Sequence, residues 1–186
     1  MGYEAGRRQR RSIRLKGYDY CSSGVYCVTI CINDRACLLG AIVGGEAILN
    51  AAGSMVQETW SELTHHYAGV ETDAFVVMPN HVHGIIVLTG CSVAAPTLSV
   101  PEVVQRYKMM TTKRYADGVK ASNWPAFCGR LWQRNYYEHI VRSDTELERL
   151  RRYIAENPLR WADDQDDSAW VPGRGSTAGA SPRVGW

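Results

Sequence analysis

His81 and His83 stand one residue apart in the run Val76-Val77-Met78-Pro79-Asn80-His81-Val82-His83. Residues two apart on a strand project to the same side, so both imidazoles reach one face while Val82 turns to the other. Two imidazoles so placed can grip one metal ion and leave coordination positions open for substrate. The competing reading is an ordinary strand pair satisfied within the core. A second element is Tyr153 and Asn157, four apart in Leu150-Arg151-Arg152-Tyr153-Ile154-Ala155-Glu156-Asn157-Pro158. On a helix they share a face, about 6 Å apart along the axis, so a phenol could reach a phosphorus atom while the amide oxygen reaches its metal. A packed tyrosine and a helix-ending asparagine would look the same in sequence.

Positioning these groups requires a sheet and helices. Gly24–Ile32 is rich in β-branched residues and ends at Asn33-Asp34, which predicts a first strand. Cys37–Leu39 is a short apolar piece able to pair back on it before the Gly44-Gly45 break. From Glu46 to Tyr67, apolar residues recur at three and four, the period of an amphipathic helix. Ala74–Met78 and His81–Leu88 read as a hairpin turning at Pro79-Asn80, and Glu102–Tyr115 as a second helix. Leu131–Val141 reads as a further strand, followed by a helix from Asp144 to Glu156 that Asn157-Pro158 should stop. Strand, helix, strand, strand, helix, strand is the split β-α-β order. The expected fold is therefore α+β: a ferredoxin-like antiparallel sheet with helices on one face and an extra C-terminal helix carrying the tyrosine.

The chain has 186 residues, 45% of them hydrophobic, enough for one core without covalent staples. Its six cysteines lack the spacing of a zinc ribbon or finger, so reduced thiols are expected, and Cys27 and Cys31 should share a strand face with Thr29. The apolar runs are too short to span a membrane and no secretory signal pattern is present, which makes a cytoplasmic location the expectation. Net charge is only +2, but its distribution is uneven. Arg7, Arg8, Arg10, Arg11, Arg14 and Lys16 form a basic arm, and Asp163, Asp164, Asp166 and Asp167 an acidic patch. The arm can neutralise phosphates or lie solvated as a tail. The expected organisation is an arm over 1–17, a domain over 18–162 and a tail over 163–186.

Trp132, Arg134, Tyr136 and Tyr137 interleave aromatics with charge, a pattern suited to stacking unpaired bases, although core packing explains aromatics equally well. Arg134, Trp132, Lys108, Lys113 and Arg114 join the arm as candidate DNA contacts. His139 and Glu138 could support the site from behind its ligands or bond within the core, while His65-His66 closes a helix, where cations suit the dipole. Tyr107, Tyr115, Tyr136 and Tyr137 are alternative nucleophiles, but none has a metal-capable residue four positions later ahead of a helix stop.

The run Val76–His83 resembles the His-hydrophobic-His motif of single-tyrosine HUH transposases. Trp132–Arg142 followed by Tyr153–Pro158 is similar to the REP-associated tyrosine transposases, as are Arg11–Tyr20 and Tyr26–Cys31, so that the likeness covers roughly residues 10 to 162. That resemblance implies His81 and His83 as metal ligands, Tyr153 as nucleophile and Asn157 as third ligand, where related transposases outside the subgroup carry glutamine. It also implies Mg2+ or Mn2+ as cofactor, single-stranded DNA bearing a hairpin as partner, and no nucleotide cofactor. The implied reaction is cutting and rejoining through a 5′-phosphotyrosine, by a monomer or homodimer. Three other readings stay open at this point: a rolling-circle initiator or relaxase, a noncatalytic hairpin-DNA-binding protein, and a hydrolytic metal nuclease.

Overall fold

Tyr26, Val28, Ile30 and Ile32 alternate with Cys27, Thr29 and Cys31, and this period of two gives the central strand two different faces. The computed structural model describes residues 23–90 and 98–161; the basic arm, the acidic patch and the expected tail lie outside them. Strand β1 (Gly24–Cys31) pairs antiparallel on one side with β5 (His81–Leu88) and on the other with β6 (Tyr137–Val141), and β4 (Val70–Met78) closes the order β4-β5-β1-β6. This is the expected ferredoxin-like sheet.

Helices α1 (Ala51–His66) and α2 (Val100–Ser122) cover the face bearing Tyr26, Val28 and Ile30, where Trp60, Leu63, Val103, Val104 and Tyr107 complete the main core. Burying each such side chain contributes about 1.5–3 kcal/mol. Helix α3 (Asp144–Glu156) lies on the opposite face, where Leu150 and Ile154 pack on Cys27 and Ile85. Cys27, Cys31, Cys37 and Cys128 are free thiols.

Four local expectations require correction. Cys37–Leu39 is not a strand: Leu39 is a buried core residue whose N–H donates to the Pro79 carbonyl at 3.0 Å. The first helix begins at Ala51 rather than Glu46, because Glu46–Leu49 is strand β3, paired with β2 (Gly40–Val43). Gly44 and Gly45, at φ +60° and +82°, make the two-residue turn that matches strand twist. Asn50 then caps the helix, its side-chain oxygen accepting from the Gly53 N–H at 2.9 Å.

Helix α2 runs on to Ser122, from a Ser99–Glu102 capping box to Asn123 in the left-handed region. The last sheet strand holds only residues 137–141, since Lys108 Nζ draws the carbonyls of Gln133, Arg134 and Asn135 toward α2 at 2.9, 3.2 and 3.3 Å. Helix α3 ends at Glu156, as Asn157-Pro158 implies, but Asn157 keeps helical dihedrals. At φ −56° and ψ −40° it continues into a 3-10 turn, Asn157–Arg160, where Pro158 occupies an early position that needs no N–H donor.

Candidate active site

The two-residue turn at Pro79-Asn80 brings β5 back along β4, and the strand pattern sends His81 and His83 to the α3 side. Across the sheet, His81 lies opposite Cys31 and His83 opposite Thr29, which in turn faces Tyr137 on β6. Val82, on the other side, is wholly buried in the main core, which fixes the strand from behind. Both histidines are buried, and their Nε2 atoms converge to 2.9 Å.

Each imidazole is held by its other nitrogen. His81 Nδ1 meets Asn80 Oδ1 at 2.7 Å, and Asn80 Nδ2 donates to the Arg35 carbonyl at 3.2 Å. His83 Nδ1 meets Thr29 Oγ1 at 2.8 Å. Such partners fix ring orientation and leave Nε2 facing the site. Burial pushes the His81 pKa down to about 3, with Arg35 adding to the effect. His83 moves the same way through burial, then His81, then Arg35. Both rings are therefore neutral at ordinary pH, the form in which imidazole ligates a metal.

From α3, the Tyr153 ring stands edge-on to His83, with centroids 5.5 Å apart. One turn further on, Asn157 is fully buried, and its Oδ1 and Nδ2 have no hydrogen-bond partner among the described residues. A buried amide without partners costs about 1–3 kcal/mol, and its oxygen lone pairs are of the kind that can bind a cation. Among the described residues no three His, Cys, Asp or Glu side chains cluster, so a cation here would be held by two imidazoles and this amide. Trp161 then stacks over His81, its centroid 6.1 Å away and its plane tilted 24°. Tyr153 and Trp161 thus meet the histidines from one continuous helical segment, which also carries Asn157.

Other predicted residues fall elsewhere. Glu138 pairs in register with Val28, on the α1/α2 side of the sheet, and accepts from Tyr136 at 2.6 Å; it cannot support His81 or His83 from behind. His139 shares the site's face one row away, opposite Cys27, and bonds Glu146 of α3 at 2.8 Å. Trp132 is buried and donates to Thr111 Oγ1 at 2.8 Å, which removes it from base stacking. Arg114 forms a two-pronged pair with Glu62 at 3.0 and 2.7 Å, and Lys113 pairs with Asp117 at 3.0 Å. Lys108 is taken up by its three carbonyls, and burial pulls its pKa to about 8. Arg134 is exposed, whereas Arg7, Arg8, Arg10, Arg11 and Arg14 lie outside the described residues.

Alternative tyrosines are already committed: Tyr107 donates to the Val56 carbonyl at 3.0 Å and Tyr115 to that of Pro125 at 2.9 Å. Thr29, Asn80 and Trp161 escaped the sequence reading. Thr29 could have been found from its place between two same-face cysteines, and Asn80 from adjacency to His81; Trp161 has no local signal.

Residues 46–157 match the family model described as "Transposase IS200 like". The chain belongs to the IS200-like transposases. The matched span contains His81, His83, Tyr153 and Asn157, and ends on the last of these. This transposase is 37% identical over 175 residues to an uncharacterized protein of Haemophilus influenzae, covering 88% of this chain and 96% of that one. It is 22% identical over 152 residues to a protein of the same organism whose name assigns it to the REP-associated tyrosine transposases, covering 76% of this chain and 74% of the other. A solved structure of a REP-associated tyrosine transposase bound to a REP hairpin shares the fold, with a TM-score of 0.56 and 19% identity over 80% of this chain and 74% of that one. Among the described residues no helix of this transposase is long and apolar enough to cross a membrane.

Proposed function

We propose that this transposase cuts and rejoins single-stranded DNA at hairpin-forming repeats through a covalent 5′-phosphotyrosine on Tyr153. The observation that carries the proposal is the convergence of the two histidine Nε2 atoms at 2.9 Å beside the Tyr153 ring, 5.5 Å from His83. The Asn157 amide, without a partner among the described residues, supports a third ligand, and the likeness to a REP-associated transposase bound to a hairpin supports the DNA class.

The tyrosine oxygen attacks phosphorus, a P–O(Tyr) bond forms, and the P–O3′ bond breaks. The phenolic proton passes to solvent and the departing 3′-oxygen gains one, leaving a free 3′-hydroxyl. When another 3′-hydroxyl attacks the phosphotyrosine, the bond is remade on DNA and Tyr153 is released, so joining needs no nucleotide energy source. A free phenol has a pKa near 10 and is a weak nucleophile at neutral pH. A divalent cation, Mg2+ or Mn2+, held by His81, His83 and Asn157, would supply the missing help by stabilising charge on a nonbridging phosphate oxygen. Asn80 and Thr29 hold the imidazoles in register, while α3 carries the phenol to the same face.

The test is incubation of 3′-labelled single-stranded hairpin DNA with Mn2+ and wild type or Tyr153→Phe, followed by denaturing gel electrophoresis. The expected result is a labelled protein band with wild type alone. An adduct formed by Tyr153→Phe overturns the nucleophile, and label released only as free DNA replaces transesterification with hydrolysis.

A further inference from the structure

Two lone pairs do not face each other at 2.9 Å; either a hydrogen or a cation lies between His81 Nε2 and His83 Nε2. Asn80 decides which ring could supply the hydrogen. Its Nδ2 is spent on the Arg35 carbonyl, so the atom toward His81 is the oxygen, an acceptor that requires a hydrogen on His81 Nδ1. A neutral His81 therefore has a bare Nε2. If the bridging atom is a hydrogen and not a cation, it belongs to His83 Nε2, which leaves His83 Nδ1 as an acceptor for the Thr29 hydroxyl 2.8 Å away.

A cation bound to both Nε2 atoms demands the other tautomer of His83, with its hydrogen on Nδ1. Asn80 could not serve both tautomers, because its amide is fixed by Arg35. A hydroxyl can, since it donates and accepts by rotating about one bond. We propose that Thr29 is a positioning residue whose hydroxyl reverses its hydrogen bond to His83 on metal loading, allowing that ring to pass from the Nε2–H to the Nδ1–H tautomer. His83 gives one proton to water from Nε2 and takes one from water at Nδ1, so the ring stays neutral and net charge is unchanged. The asymmetry is specific: His81 is locked in the ligating tautomer, and His83 alone must convert. This inference rests on the metal-site reading above.

The test combines long-range 15N–1H correlation spectra of the histidine rings with Mn2+ affinity measured by electron paramagnetic resonance. In metal-free wild type, His81 should show Nδ1–H and His83 Nε2–H; saturating Mg2+ should move His83 to Nδ1–H. Thr29→Val, which keeps the shape and loses the hydroxyl, should weaken Mn2+ binding about 10–100-fold, and Thr29→Ser should restore it. His83 already in the Nδ1–H form without metal, or Thr29→Val binding Mn2+ as tightly as wild type, overturns the switch while the metal site stands. Wild type with no saturable Mn2+ binding overturns the metal site itself, and the switch with it.

Discussion

Arg151 of α3 clasps Asp73 of β4, with its Nε 3.2 and 3.1 Å from the two carboxylate oxygens, at the point where the β4–β5 register shifts between Thr72 and Phe75. The bulge turns Asp73 toward the helix, and the clasp sits two residues from Tyr153, so it sets where the phenol stands along the sheet. Arg151 also pairs with Glu148 within its own helix.

Hydrogen bonding to Arg151, and secondarily the Ala74 N–H, holds the Asp73 carboxyl below its usual range. A carboxylate depressed on folding adds stability that is complete above the unfolded-state pKa of about 3.9 and disappears as pH falls through the folded value. Asp73→Asn should therefore lower the thermal midpoint at pH 7 and should converge with wild type as pH approaches the folded value. Melting curves from pH 7 downward check this; a gap that widens on acidification would contradict the pairing. Raised salt should also narrow the gap, since the pair is partly exposed.

Asn157 is a place where stability and activity should move in opposite directions. Its buried amide has no partner among the described residues, so Asn157→Leu, which has the same branching without polar atoms, should stabilise the metal-free protein by about 1–3 kcal/mol while abolishing DNA cleavage. Denaturant unfolding together with a cleavage assay reads both quantities. A destabilised Asn157→Leu would mean that the amide is satisfied in solution.

Gly84 sits where no side chain fits. A Cβ there would come within 2.4 Å of the Trp60 ring and 2.8 Å of Phe75, two rings stacked at 4.5 Å. Gly84→Ala should cost about 1–3 kcal/mol through overpacking, one residue from His83, and a midpoint unchanged in urea would refute the close approach.

Asn80 holds His81 by a single acceptor. Asn80→Ala should weaken Mn2+ affinity by about 10–100-fold and leave the fold's thermal midpoint less affected than Gly84→Ala does. Equal metal affinity in Asn80→Ala and wild type would show that the ring needs no such anchor.

The legibility of these features in sequence followed how local their causes are. Strand alternation announced that His81 and His83 share a face, and a four-residue step announced the same for Tyr153 and Asn157, because both follow from repeat geometry alone. Helix α3 was readable to its ends, since Ser143 supplies a cap whose oxygen accepts from the Glu146 N–H at 3.2 Å. Strand β3 was misread as the start of a helix because Ile48 fits both periods, and only the Gly44-Gly45 turn decides between them. Trp132, Lys108 and Arg114 looked like DNA contacts because their partners Thr111, the residue 133–135 carbonyls and Glu62 are distant in sequence or hidden in the backbone. Glu138 was misjudged for a simpler reason: alternation puts it opposite His139, and no marker in the sequence said which face was the site.

Helix α3 fully buries only Leu150 and Ile154, whereas the sheet beneath it is sealed from the other side by two long helices. Segments with few buried contacts open at lower free energy than the rest of a domain. The histidine half of the site therefore belongs to the most durable part of the molecule, and the half bearing Tyr153, Asn157 and Trp161 to one of its least durable. Such a division implies that the helical segment can loosen from the sheet while the strands keep their register.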